Sequence, residues 1–546
     1  MKNRSWIPSL ALALGLFPMV AMAAPGDHLW SRGLGVNGRS ATVDAAGNVY
    51  VAGTFSGTVD FGGGGVTAGG SDFFCVKYDP DGNLLWTRTV TPDAFLAVTA
   101  ISAQPSGGVY VAGNIPKGGT VDFGGGPLGA PGVFGTAWIV QYDASGNHVF
   151  SDDYGTGSIN DLDASNSEVA IAAQNSASLD FGGGPLGTSG DRQAIVAKLA
   201  SGGAHVWSSA FGDASTQSGQ DVGLMSGGEV VLLAAVRGTI NFGAGSHTAD
   251  ANDDIAIAKF DGSGGAQWSN LYQGQFSQFG SLIYSALDVS DVGAIAITGE
   301  FANTVDFGGG ALTATITDTF VARFAADGSH QWSGSYGSTA ADGGTAIWIG
   351  PNGNLFLAGT YRDTISFGGP SLALIGGSDM YVAEISANGA HLWSKGLGST
   401  GFEYSPSVEA DAQGNAAISV QGSGVDLGGG LLAGGFAFGM LGESTPPTEA
   451  PVLAGDATGL RLDVWPNPSA GATTVGFSAP VRGRASLDVF DAAGRRVRSY
   501  SNLAPESAQL TWDARDAAGT AVAPGVYFVR LATESGTATR RVTLVR

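Results

Sequence analysis

Six histidines, one cysteine and a recurring aspartate are the residues of this chain best suited to do chemistry. His28, His148, His205, His330 and His391 each stand two residues before a Trp or Phe, and His247 stands apart. Histidine changes charge near neutral pH and is the commonest metal ligand. Here, equivalent positions about one repeat apart are too distant to share a metal, so surface or packing roles are expected. Cys75, the only cysteine, lies in the strand-like phrase DFFCVKYD and reads as a small buried apolar group with no disulfide framework. The aspartate recurs in a VDF-type phrase as Asp60, Asp122, Asp180, Asp306 and Asp426, with Asn241 and Ser366 in the remaining copies. Such side chains brace glycine turns by accepting nearby backbone N–H bonds. They are also the candidate metal ligands of this chain, as a ring of carboxylates that holds Ca²⁺ or a polar ligand. DPDGN (79–83) and DANDD (250–254) cluster oxygens but complete no EF-hand pattern, so both read as turns. The glycine runs never form a phosphate-binding GxxxxGK[ST], and neither GxSxG nor HExxH occurs. No catalytic or cofactor-binding residue follows from the sequence, and no enzymatic activity is expected.

What positions these residues is a long repeat. A phrase ending in Trp or Phe recurs at Trp30, Trp86, Phe150, Trp207, Trp268, Trp332 and Trp393, roughly every 60 residues. A fixed period of this length names an architecture before any single motif does. One copy, 40–89, reads as ATVD, the turn AAGN, the strand VYVAGTF, a glycine hairpin carrying VDFGGG, the strand DFFCVKYD, the turn PDGN and the strand LLWTRTV. That is four strands joined by turns. The second-strand phrase recurs as VYVAG, VYVAG, VAIAA, VVLLAA, AIAITG, LFLAG and AAISV. The chain starts with a lone fourth strand (27–33) and its repeats stop after a lone third strand (436–441). A ring closed by one strand from the start and three from the end resolves both offsets and leaves no open sheet edge. The expected fold is all-β: a seven-bladed β-propeller of four-stranded blades over 24–441.

Composition agrees. Eighty-nine glycines and 13% charged residues suit short strands and tight turns better than long helices. Residues 1–23 read as a signal peptide, with Lys2 and Arg4 before an apolar run and Ala21-Met22-Ala23 as the cleavage site. The net charge is −22. Such acidity repels phosphate backbones, so nucleic acid is not an expected partner, and no transmembrane segment is expected in the mature chain.

The repeat resembles the SBBP family of bacterial β-propeller repeats over roughly 27–441, through phrases such as DAAGNVYVAGTFSGTVDFGGG and DFFCVKYDPDGNLLW. The resemblance implies the fold and little about activity. Residues 442–457 have linker composition. Residues 458–546 alternate as strands and fit an immunoglobulin-like sandwich. WPNP (465–468), VFDAAGRRVR (489–498), WDARDAAGTAVAPGVYFVRL (512–531) and the terminal RRVTLVR resemble the type IX secretion sorting domain, and equally the Ig-like domain of the flagellar-hook capping protein. The sorting resemblance implies export to the cell surface or medium, with the type IX machinery as partner. The expected function is an exported binding or scaffold protein that presents the propeller loop face to a polysaccharide or protein. The rival expectations are a polysaccharide-acting enzyme on the same scaffold and a passive surface structural protein.

Overall fold

The computed structural model describes residues 26–129, 135–187, 192–250, 253–276, 285–442, 461–465, 473–478, 485–491, 495–503, 508–516, 519–523, 525–533 and 536–544. The signal segment 1–23, residues 251–252 of DANDD, nearly all of the linker 442–457 and residues 466–468 of WPNP lie outside them. Every regular element described is a β-strand, and among the described residues no helix is long and apolar enough to cross a membrane. The chain forms two compact units, Met1–Glu443 and Ser444–Arg546.

In the first unit each repeat folds on itself. Asn37–Val43, Val49–Phe55, Asp72–Tyr78 and Leu84–Val90 pair antiparallel in that order. The turn after the first strand closes because Asp44 Oδ1 accepts the N–H groups of Ala46 and Asn48, while Gly47 takes a φ of 83° that disfavours a side chain. Every residue of the two middle strands is buried. Both faces of these strands pack against neighbouring sheets, so the sequence reads as continuous apolar runs instead of alternation. One such layer joins Tyr50, Phe73 and Cys75 to Val111, Trp138 and Val140 of the next repeat.

Four-stranded sheets of the same order recur at 217–272, 285–336 and 343–397. Two repeats merge into one seven-stranded sheet through the long strand His148–Ala164. Its first half pairs with Thr136–Tyr142 and its second half with Glu168–Leu179. The chain passes between repeats here without a loop, turning at Gly155 with φ 94°. The last sheet takes Tyr404–Ala410, Ala416–Gln421 and Phe436–Leu441 from the end of the unit and His28–Leu34 from its beginning.

The first strands of successive repeats touch in a closed cycle, and Tyr404–Ala410 returns to Asn37–Val43. The period of the aromatic phrase has the same cause. Trp30 lies on Gly82 in the third-to-fourth turn of the next repeat, so close that a Cβ there would sit 2.7 Å from the indole. Trp30 Nε1 donates to Pro80 O of that turn at 2.7 Å. Trp86 meets Gly146, Phe150 meets Gly203, Trp207 meets Gly264, Trp268 meets Gly328, and Trp332 meets Gly389 in the same way. Trp393 meets Gly26, next to the strand that begins the unit, so the cycle ends where it starts. The result is a propeller-like ring of small antiparallel sheets.

Most first strands also carry a β-bulge, between Gly38 and Ser40, Val98 and Ala100, Ile159 and Asp161, Gly219 and Asp221, and Gly344 and Ala346. At the glycine of the VYVAG phrase the backbone of the first strand comes too close for a side chain. A Cβ on Gly113 would overlap the Ala97 carbonyl oxygen and stand 2.5 Å from the Trp138 ring. Gly113→Ala is expected to destabilise the ring unit by about 3 kcal/mol, because backbone cannot step aside as a side-chain tip can. A urea midpoint unchanged from wild type would contradict this close approach.

In the second unit, Arg461–Trp465, Thr473–Ser478 and Ala508–Trp512 form one sheet. Ala485–Asp491, Arg496–Leu503, Gly525–Thr533 and Gly536–Leu544 form another. The alternation of LDVFD and GVYFVRL buries Leu487, Val489, Val529 and Leu531 with Val475 and Trp512 in a core shared by both sheets. Trp512 is buried because its Nε1 finds an acceptor in Arg515 O at 2.9 Å.

Candidate functional site

The hairpin aspartates occupy separate hairpins, one per repeat. In each, one carboxylate oxygen accepts the N–H groups two and four residues on. Asp60 takes Gly62 and Gly64, Asp122 takes Gly124 and Gly126, and Asp180 takes Gly182 and Gly184. Asp306 takes Gly308 and Gly310, and Asp426 takes Gly428 and Gly430. These backbone N–H bonds hold the Asp60 and Asp122 carboxyls below the usual carboxylate range. Among the described residues no three His, Cys, Asp or Glu side chains converge as metal ligands. Asp122→Ala is therefore expected to lower the melting temperature slightly, and wild type is expected to melt identically in Ca²⁺ and in EDTA. A fall in EDTA would make these residues ligands.

The histidines stand on six of the seven hairpins, and Leu84 takes that place on the hairpin of Asp60. Nε2 of His28, His148, His205, His330 and His391 shares a hydrogen bond of 2.8–3.1 Å with the serine three residues on. The ring lies flat on the middle glycine of the hairpin; a Cβ on Gly125 would be 2.8 Å from His148 Cε1. In the repeat whose fourth strand begins with Ala266, His247 reaches from the hairpin to the equivalent Ser269 at 2.8 Å. Its apparent isolation in sequence is thus a substitution within the same pattern. Cys75 is fully buried, and burial pushes its thiol up. In DPDGN, Asp79 Oδ1 accepts the N–H groups of Asp81 and Asn83, which closes the turn.

Polar groups that do not repeat gather elsewhere, in a cavity of about 610 Å³ at the centre of the ring, lined by all of the first strands. An inner-edge strand leaves N–H groups without a sheet partner, and side chains of the preceding repeat supply acceptors. Glu409 accepts Val43 N–H at 3.2 Å, Thr42 accepts Ala103 N–H at 3.1 Å, and Ser102 accepts Ala164 N–H at 3.1 Å. Asp163 accepts Leu224 N–H at 2.6 Å, and Asp288 accepts Ile349 N–H at 2.5 Å. One position earlier on the same face, Asp161 accepts Val222 N–H at 3.3 Å and Asp221 accepts Leu287 N–H at 3.0 Å. The bulge residues form a second ring of clasps, in which Arg39 Nε donates to Thr99 O, Thr99 to Ile159 O, Asn160 to Gly219 O and Thr345 to Pro406 O, each at 2.6 Å.

A hydroxyl suffices for a clasp, as Thr42 and Ser102 show, yet five lining positions are acids. Burial pushes the Asp161 and Asp221 carboxyls up, and the neighbouring Asp161 carboxyl pushes Asp221 further, well above the carboxylate range. Burial pushes Asp163 up to about 7 and Glu409 up to about 8, and lifts Asp288 well above its ordinary value. Sequence reasoning did not single out these five. They stand in NDLD, QDV, LDV and VEA, and only an alignment of the first strands sets Asp161 and Asp221 against Ser40, Ala100, Ala286, Ala346 and Ser407, and Asp163, Asp288 and Glu409 against Thr42, Ser102, Gly223 and Trp348.

Residues 463–545 match the family described as a secretion system C-terminal sorting domain. No curated protein matches the chain significantly. Among solved structures, the chain is similar to PorZ, a bacterial surface component of the type IX secretion system of Porphyromonas gingivalis. The identity is 10%, over 94% of this chain and 100% of that one, with a TM-score of 0.16. YCF48 bound to D1 peptide is 10% identical, over 79% of this chain and 100% of that one, with a TM-score of 0.34. Sqt1 from Chaetomium thermophilum is 11% identical, over 77% and 100%, with a TM-score of 0.35. TM-scores this low give these likenesses no weight for function. The sorting domain places the protein in the medium or at the outer-membrane surface, and implies that it engages the type IX secretion machinery.

Proposed function

We propose that the chain is an exported binding and scaffold protein, a seven-bladed β-propeller of SBBP type closed by one strand plus three. An Ig-like C-terminal sandwich directs its type IX secretion, after a signal peptide has taken it through the inner membrane. The cycle of aromatic-on-glycine contacts supports the blade number and the closure. One observation carries the binding reading: repeating polar groups are consumed by their own turns, while non-repeating ones gather in the central cavity. Connections between repeats also present exposed aromatics. Phe95 is 60% exposed, and Phe402 and Tyr404, stacked at 6.3 Å just before the cavity-lining Ser405, are 52% and 51% exposed. Aromatic faces beside polar groups suit a polysaccharide or a protein segment.

A glycan array probed with the purified chain, in Ca²⁺ and again in EDTA, tests this. Specific binding that survives EDTA and is lost in Phe402→Ala/Tyr404→Ala is expected. Absence of binding in both conditions removes the carbohydrate partner. The rival enzymatic reading draws on the Asp161–Asp221 pair, which has no equivalent in the other repeats. Glycoside hydrolysis needs an ionised carboxyl about 5–10 Å from a protonated one, whereas burial pushes both of these up. Release of reducing sugar from a polysaccharide, abolished by Asp221→Asn, would nevertheless establish it.

A further inference from the structure

Five carboxyls face a cavity in which, among the described residues, Arg39 is the one cationic lining side chain, already engaged with Thr99 O. Acids alone would not make a site, since each gives one oxygen to a clasp. The second observation is Gln174, which comes from the second strand of the third repeat and lines the same cavity. It is only 7% exposed, and its Oε1 has no hydrogen-bond partner. Gln220 Nε2 and Ser285 Oγ, also in the cavity wall, find none either. In the preceding repeat the equivalent acceptor is filled: Asn114 Oδ1 accepts the Ser158 hydroxyl at 3.4 Å. A buried acceptor left open costs free energy, and an incoming donor would recover it.

We infer that the side of the cavity formed by Asp161, Asp163, Gln174 and Asp221 binds a ligand through a primary ammonium group. This deepens the binding reading above and rests on it. An ammonium carries three N–H donors and no acceptor. The Asp161–Asp221 pair, Asp163 and Gln174 Oε1 offer the acceptors. Burial and the neighbouring Asp161 carboxyl hold a proton on Asp221; as the ammonium enters, that proton leaves to solvent and charge is conserved. The groups that titrate or carry charge there are Arg39, Asp161, Asp163, Asp221, Asp288 and Glu409, with Asp291 acting on Asp163 from outside. Burial holds several of these acids protonated near neutrality, so binding should release protons and tighten as pH rises.

Calorimetric titration of the full chain with glucosamine, 1,4-diaminobutane and N-acetylglucosamine tests the inference, in two buffers of different ionisation enthalpy. Both amines are expected to bind with proton release if the ammonium alone is read; glucosamine alone binding would assign an amino sugar. N-acetylglucosamine, which keeps the ring and loses the charge, should bind at least tenfold more weakly than glucosamine. Asp221→Asn keeps an acceptor for Leu287 N–H and should weaken the amines at least tenfold. Gln174→Leu removes the open acceptor and should weaken them while raising the melting temperature, which separates binding from folding. No amine binding at millimolar concentration, or equal binding of the N-acetyl sugar, overturns the ammonium inference. Neutral glycans binding on the array in that case would leave the general binding reading standing.

Discussion

A chain lacking residues 26–36 is expected to lose the cooperative melting transition of its ring unit, or to melt lower by an amount equivalent to at least 5 kcal/mol, roughly, and to self-associate. The strand His28–Leu34 pairs with Phe436–Leu441 from His28↔Leu441 to Leu34↔Phe436. It also brings Leu34 and Val36 into a core with Phe436, Phe438 and Met440. Trp30 packs edge-on to Phe438 at 5.9 Å and lies on the Gly82 turn of the next repeat. Deletion thus removes a strand, several apolar side chains and one link of the aromatic cycle together. Burying each large apolar side chain is worth about 1.5–3 kcal/mol. The exposed edge of Phe436–Leu441 would then pair with another chain, which light scattering would detect as dimers or larger species. A truncated chain that melts with wild type and stays monomeric would contradict the closure.

The second large effect is of pH. Asp163, Asp221, Asp288 and Glu409 hold their protons in the folded ring well above the range in which the unfolded chain gives them up. The folded state therefore binds more protons, and stability falls as pH rises. For Glu409 the contribution is fully present below about pH 4.5, the ordinary value, and is lost as pH rises through about 8. Allowing for the partial contact of these carboxyls with solvent, Asp163 and Glu409 are each worth roughly 2–3 kcal/mol between their ordinary and raised values. Turn aspartates such as Asp122 and Asp143 act in the opposite sense, with stability lost as pH falls toward their lowered values. Calorimetry of the full chain is expected to show the ring transition highest near pH 5 and falling steadily to pH 9. Glu409→Gln retains an acceptor for Val43 N–H and should flatten that fall. A transition that rises between pH 5 and pH 9 would mean the cavity acids are ionised in the folded chain.

The repeat and its strands were legible because each turn has its own chemistry: DAAGN, DPDGN and VDFGGG close by bonds from backbone N–H groups to an aspartate side chain. The cavity was not, for two physical reasons. A bulge in most first strands breaks the period-two alternation that marks a half-buried strand. The clasp position also tolerates several groups that can face the cavity; it is Thr42, Ser102, Asp163, Gly223, Asp288, Trp348 and Glu409 in turn. No residue type recurs there to draw the eye, and the acids look scattered until the ring brings them together. The merged sheet through His148–Ala164 was equally hidden, because nothing in SDDYGTGSIN marks a missing loop except the glycines.

The central claim, that the first described strand closes the ring against the last, is tested most directly by restoring it in trans. The chain lacking residues 26–36 would be titrated with a synthetic peptide of sequence GDHLWSRGLGV, following tryptophan fluorescence and the melting transition. Saturable one-to-one binding that recovers most of the lost stability, and that fails for a peptide with Trp30→Ala, is the expected result. A peptide that does not bind a folded truncated chain, or that binds without restoring its stability, would contradict it.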